Sequence, residues 1–327
     1  MLRFQVDSAD LLHSRFALSP VFELESLLRV LDGVDGSTPP SARIDRLRPG
    51  LARLRAEDAA VEALLALQHP HGGADFVVPP PARGALQTID DDLLAVRAVP
   101  LEVARADIRA CLARRPAGYR AREVLDAPDV VPRIADALAR AWHHLLATDW
   151  LQLRAICERD VVHRAGQLAR HGWAAALDGL HPRVRWRRGG VEIARMSSDG
   201  PVALGGRGLT FVPSVFVWPN VAAFTADPWP RCLIYPARGI GQWWDATSPD
   251  PPAKALEELI GRTRARILQT LHEPASTTQV AHQLGLPVGS AGDHLRAMRR
   301  AGVLDATRSG RSVLYRRTPL GEMLADA

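Results

Sequence analysis

The sequence predicts an α+β chain: a helical N-terminal domain carrying a small antiparallel sheet, followed by a short C-terminal module of helices closed by a hairpin. Three observations predict it. Apolar residues recur at helical spacing through most of the first 180 positions. From His181-Pro182 onward, short alternating runs separated by Gly, Pro and Asn take over. Thr247–Pro252 (TSPDPP) then stiffens the backbone and blocks both helix and sheet, setting off the last quarter. The implied boundaries are 1–245, a linker at 246–253, and 254–327.

The elements follow in order. Leu2–Val6 alternates like a short strand. Asp7 or Ser8 caps a first helix, and Ser19-Pro20 is the cap-then-Pro start of a second that runs to about Leu31. Gly33–Pro40 is a breaker-rich loop, and Leu51 to Gln68 suits an amphipathic helix. His69–Arg83 is rich in Pro and Gly and reads as irregular. Helices fit Asp90–Ala98 and Leu101–Arg114, with Asp90-Asp91-Asp92 placed where the macrodipole favours acid. The longest helical stretch runs from Pro132 to about His171. Val184–Arg187 and Val191–Ala194 form a hairpin through Arg188-Gly189-Gly190. Strands then fit Leu209–Val212, Val215–Trp218, Val221–Thr225 and Leu233–Tyr235.

Composition narrows the class. The chain has 327 residues, enough for about two domains. Apolar residues make up 47 % and charged residues 24 %, which excludes a disordered polyelectrolyte. No stretch reaches the ~18 uninterrupted apolar residues of a membrane helix, and Met1–Asp10 is not a secretory signal. Cys111, Cys157 and Cys232 are odd in number and far apart, which argues against a disulfide framework and fits a cytoplasmic protein. The formal net charge is +5, yet residues 1–253 carry only +1 and residues 254–327 carry +4. Of the 41 basic residues only Lys254 is lysine, so arginine use is a habit of the whole chain and not a local signal.

In the last quarter, Leu256, Leu259, Ile260, Ile267, Leu268 and Leu271 share one face of a helix over 255–271. Ser276 and Gln279 make a capping box for the next helix, and Gly285 suits a left-handed turn. Pro287 opens a further helix to Arg300, with Val288, Ala291, Leu295 and Met298 at spacings of three and four. Val303–Ala306 and Val313–Arg317 pair through an arginine-flanked tip at 307–311, and Pro319–Ala325 forms a last short helix. Helix, helix–turn–helix and hairpin in that order make a winged helix-turn-helix. A helix with side chains fits a DNA major groove, and a hairpin tip reaches the adjacent backbone. Residues 276–318 hold seven Arg against Asp293 and Asp305, net +5, which favours phosphate through counterion release.

Residues 255–325 resemble the ArsR-type (arsenic-repressor-like) winged-helix transcription regulators. The likeness rests on GRTRARIL (261–268), Val280-Ala281, Leu284-Gly285, His294-Leu295-Arg296, Arg300-Ala301-Gly302-Val303-Leu304 and RSGRSVLY (308–315). The N-terminal part is similar to an uncharacterised extension found in a subset of such regulators, through GLTFVPSVFVWP (208–219) and YPARG (235–239). The resemblance implies a DNA-binding homodimer that reads duplex DNA with helix 287–301 and wing 305–317. The candidate DNA contacts are Thr277, Thr278, Ser290, Asp293, His294, Arg296, Arg300, Arg308, Ser309 and Arg311. Two departures stand out. Residues 254–327 contain no cysteine and no histidine after His294, which argues against the family's metal sensing. Gly289, Gly292 and the acidic Asp293 sit on the reading helix, where glycine weakens the helix and a carboxylate repels phosphate.

Trp218, Phe224, Trp229 and Tyr235 form a candidate pocket for an unknown small-molecule effector, set against the plainer reading of a sheet core. No GxSxG, P-loop or Rossmann fingerprint is present, Gly205–Gly208 is a turn, and His143, His144, His163 and His171 lack metal-ligand spacing. The expectation is therefore a non-enzymatic regulator with no cofactor, metal or membrane partner. The alternative is an N-terminal domain that binds or transforms a small molecule, with the winged helix serving as a dimer or protein contact.

Overall fold

A computed structural model describes residues 1–327 except 35–40, 71, 83, 85–86, 188, 197–198, 245–255, 258, 272–273, 310–311 and 327. The linker at 246–253 lies outside the described residues. The chain divides into two compact units, Met1–Trp244 and Asp245–Ala327. Its class is α+β, with the helix-turn-helix region following a long N-terminal domain.

The N-terminal unit opens with strand β1 (Leu2–Gln5), helix α1 (Ser8–His13), strand β2 (Arg15–Phe16) and helix α2 (Pro20–Asp32). Local chemistry sets these boundaries. Asp7 caps α1 in a reciprocal box with Asp10, and Ser19 Oγ accepts from Phe22 N at 3.3 Å with Pro20 opening α2. The predicted helix at 51–68 is instead two, α3 (Ala42–Glu57) and α4 (Ala59–Ala66). Asp58 divides them: its Oδ1 accepts from Ala60 N at 2.8 Å, so the side chain starts a new helix where the old one ends. Strands β3 (Gln68–His69) and β4 (Gly72–Gly73) then pair antiparallel at the start of the segment expected to be irregular, and helices α5 (Ile89–Arg97), α6 (Leu101–Arg114), α7 (Tyr119–Asp126) and α8 (Val130–Ala141) follow.

The single helix expected from 132 to 171 is also broken. A π-helical turn at Trp142–Leu146 ends α8, and α9 (Trp150–Leu177) starts afresh, with an internal kink at Gly172 (φ 78°). Trp142 and Trp150 meet edge to face across the break, ring centroids 5.2 Å apart. The apolar pattern runs through the break, so periodicity alone did not reveal it.

The expected antiparallel sheet is in fact two mixed sheets. One has the order β5 (Val184–Arg187), β6 (Gly190–Ile193), β1, β7 (Gly200–Ala203), with β1 and β7 parallel. The other runs β2, β8 (Thr210–Ser214), β10 (Cys232–Pro236), β9 (Ala222–Phe224), with β2, β8 and β10 parallel. Val215–Trp218 is not a strand. Val212, Phe224, Cys232 and Ile234 pack with the helices, whereas Phe211, Leu233 and Tyr235 pack with Leu2, Phe4, Val191 and Ile193 of the other sheet. Strands β8 and β10 are thus buried on both faces, which is where parallel pairing belongs. Gly208 (φ 73°) lies against the His13 backbone where no Cβ fits, and its N–H donates to Asp10 Oδ1 at 3.2 Å.

The C-terminal unit contains α11 (Arg262–Thr270), β11 (Ala275–Ser276), α12 (Thr277–Leu284), α13 (Val288–Arg300), β12 (Leu304–Ser309), β13 (Ser312–Arg317) and α14 (Pro319–Asp326); α10 (Gly241–Trp244) closes the first unit. Gly261 (φ 85°) interrupts the helix expected over 255–271. The strands form an antiparallel sheet β11–β13–β12. Ala265, Ile267, Leu268, Val280, Leu295, Met298 and Tyr315 fill its core.

Candidate nucleic-acid interface

The site is built from short-range signals. Ser276 Oγ accepts from Gln279 N at 3.3 Å and Gln279 Oε1 accepts from Ser276 N at 2.8 Å, which starts α12. Gly285 (φ 66°) ends it in a left-handed cap. Pro287 precedes α13, which turns Ala291, Leu295 and Met298 inward.

That inward face dictates the outward one. Ser290, Asp293, Arg296, Arg299 and Arg300 are exposed along α13, and His294 is half-buried. Thr278 is exposed and Thr277 half-buried at the N-terminus of α12, where free N–H groups attract anions. Arg308 is exposed on β12, and Ser309 ends that strand, paired in register with Ser312. Arg311 lies outside the described residues.

The arginines divide by role. Arg317, 10 % exposed, donates to the carbonyls of Leu268 (2.7 Å) and Gln269 (3.0 Å), satisfying the last turn of α11. Arg316 donates to Asp305 Oδ2 at 3.2 Å across the hairpin. The N–H of Ala306 and then Arg316 hold the Asp305 carboxyl below its usual range. Arg296 donates to Asp293 Oδ1 at 2.6 Å. Both acids of the motif are therefore paired with arginine inside it. Pairing Arg296 and Arg316 with these acids leaves the net +5 on five arginines, of which Arg299, Arg300 and Arg308 are exposed.

The four aromatic residues of the candidate effector pocket do not converge. Phe224 sits opposite Cys232 and packs toward the helices, with Trp229 partly buried in that same core. Tyr235 points from the other face of β10 into the second core, and Trp218 is 40 % exposed. Alternation along a strand sends neighbouring positions to opposite faces, so one pocket cannot hold Phe224 and Tyr235.

A buried network went unseen in the sequence. Tyr235 Oη donates to Asp160 Oδ2, Arg238 N donates to Asp160 Oδ1 at 3.2 Å, and Arg164 Nε donates to Asp160 Oδ2 at 3.3 Å. The Asp160–Arg164 spacing of one helical turn was the available signal. Glu23 is likewise buried in the first turn of α2, its Oε1 accepting from Val215 N at 2.8 Å, and burial pushes its carboxyl up to about 7.

Two family models match the chain. A helix-turn-helix domain matches residues 259–306, and a family of unknown function (DUF5937) matches residues 83–241. No curated protein matches the chain. No solved structure matches it. Fold and family match together define a helix-turn-helix domain over residues 259–306, following the long N-terminal domain. The match supports DNA binding and transcription regulation as its role. Among the described residues no helix is long and apolar enough to cross a membrane.

Proposed function

We propose that this chain is an ArsR-like transcription regulator of the cytoplasm, without enzymatic activity, that binds duplex DNA as a homodimer. The observation that carries the reading is the division of labour on α13: Leu295 and Met298 anchor one face, while Ser290, Asp293, Arg296 and Arg300 are left to solvent beside an arginine-bearing hairpin. Helix α13 enters the major groove, and Arg308 with Arg311 meets the flanking phosphates. Thr277 and Thr278 hold a phosphate at the N-terminus of α12.

The dimer is supported by exposed apolar side chains at both ends of the C-terminal unit. Leu259 is 69 % exposed, and Leu320 and Met323 on α14 are 43 % and 65 % exposed. Two reading helices about one DNA turn apart then meet a near-palindromic site.

The test is duplex binding by the full chain to its own promoter region across a salt series. Affinity is expected to fall steeply with salt, and Arg308→Ala with Arg311→Ala to remove most of it. Absence of duplex binding at low salt would overturn the reading.

A further inference from the structure

Asp293 looks like damage to a reading helix when taken alone, but with Arg296 it forms a single device. The Arg296 guanidinium reaches Asp293 Oδ1 at 2.6 Å, three residues toward the helix N-terminus. A Cβ on Gly292 would stand 3.4 Å from Arg296 Nη1 and 3.5 Å from the Thr277 methyl group. The guanidinium therefore lies back along α13 over residue 292, in the direction helical side chains lean. At that distance a Cβ would only touch it, so it is the carboxylate, gripping one edge, that fixes the guanidinium.

The fold does not need this arrangement. Arg296 and Asp293 are 60 % and 75 % exposed, and an exposed pair of this spacing adds little to stability. Glycine at 292 weakens the helix relative to alanine. What the arrangement does supply is orientation. A free arginine side chain explores many rotamers, whereas one held by a carboxylate presents its remaining N–H groups in a fixed fork. Guanine offers two acceptors, O6 and N7, at the spacing such a fork matches. A carboxylate in the same groove accepts from the amino group of cytosine and from no other major-groove edge except that of adenine.

We infer that Arg296, positioned by Asp293 across Gly292, is the guanine-reading residue of this protein, and that Asp293 accepts from the N4 amino group of a neighbouring cytosine. Each recognition helix then demands a G·C pair. The inference rests on the DNA-binding reading and adds base specificity to it. It also turns an acidic residue that would repel phosphate into one whose charge is neutralised in place.

The test is selection from a randomised duplex pool with the full-length wild type, Arg296→Lys, Asp293→Asn and Arg308→Ala. Because the altered side chains are exposed, the variants are expected to keep the wild-type melting temperature. The wild type is expected to select a G·C pair in each half-site and to lose ~5- to 100-fold in affinity when that pair becomes A·T. Arg296→Lys keeps the charge but lacks the fork, and is expected to erase that difference. Asp293→Asn is expected to bind unrelated duplex more tightly at low salt while discriminating less. Arg308→Ala is expected to weaken all sequences alike. If the wild type binds duplex and Arg296→Lys keeps its preference at every position, the inference falls and the DNA-binding reading stands. If the wild type binds no duplex, the reading itself falls.

Discussion

Tyr235 on β10 donates a 2.7 Å hydrogen bond to Asp160 on α9, joining the second sheet to the longest helix at a point where both residues are essentially sealed from solvent. Asp160 in turn pairs with Arg164, whose guanidinium donates to the carbonyls of Ala176, Asp178 and Gly179 beyond the Gly172 kink. One buried carboxylate thus ties together a strand, a helix and the chain leaving that helix. Burial, then the neighbouring Asp160 charge, raises the Tyr235 hydroxyl well above its usual value, so it stays a donor.

This network makes the first prediction. Tyr235→Phe leaves a buried acceptor short of one donor and is expected to cost about 1–3 kcal/mol. Asp160→Ala leaves Arg164 buried without its counter-charge and is expected to cost ~3–5 kcal/mol. Removing both charges, as Asp160→Ala with Arg164→Met, should recover part of that loss. Urea unfolding followed by tryptophan fluorescence measures all three.

The second prediction concerns pH. Burial raises Glu23 from 4.5 to about 7, with the N–H of Val215 pulling the other way. The folded chain therefore holds a proton here that the unfolded chain has lost. Its contribution to stability is complete below pH 4.5, is lost as pH rises through 7, and is flat above that. The span corresponds to about 3 kcal/mol. Asp75 and Asp92, both raised to about 7 mainly by burial, add in the same direction. Glu23→Gln is expected to reduce the drop in urea midpoint between pH 5 and pH 8. An unchanged drop would show that this carboxyl titrates normally.

The third prediction separates arginines that contact phosphate from those that hold the fold. Arg308→Ala is expected to lower the slope of log affinity against log salt by about one unit, with no change in melting.

Arg317→Ala should behave in the opposite way. It exposes two carbonyls at the end of α11 and is expected to destabilise the C-terminal unit by about 1–3 kcal/mol while leaving the salt slope of the folded protein unchanged. Thermal melting and a binding titration on the same preparation distinguish the two arginines.

The candidate interface was largely legible because its signals are local. Ser276 and Gln279 lie three residues apart, Gly285 ends the helix they start, and α13 turns inward at the spacing its apolar residues dictate. The aromatic residues around 218–235 were less legible. Their chemistry was plain, but which side of the sheet each one faced depended on register, and register placed Phe224 and Tyr235 apart. The helix expected over 132–171 failed for a related reason: the apolar pattern persists through the π-helical turn at Trp142, where the backbone changes its bonding without changing which side chains are buried.

By itself, then, the sequence determined the α+β class, the placing of helix–turn–helix and hairpin in the last quarter, and the concentration of positive charge there. Caps, turns and amphipathic spacing act between residues a few positions apart, and their outcome is written in the local order of side chains. The tertiary structure alone decided that Leu2–Gln5 enters a sheet with residues 190–203, that β8 and β10 run parallel, and that Tyr235 meets Asp160. Strand edges offer the same N–H and C=O groups to any partner, so the choice among them falls to distant side chains competing for burial. Asp293 shows both halves at once: its identity and spacing from Arg296 are in the sequence, but only the folded helix brings the two side chains to 2.6 Å and makes them a pair.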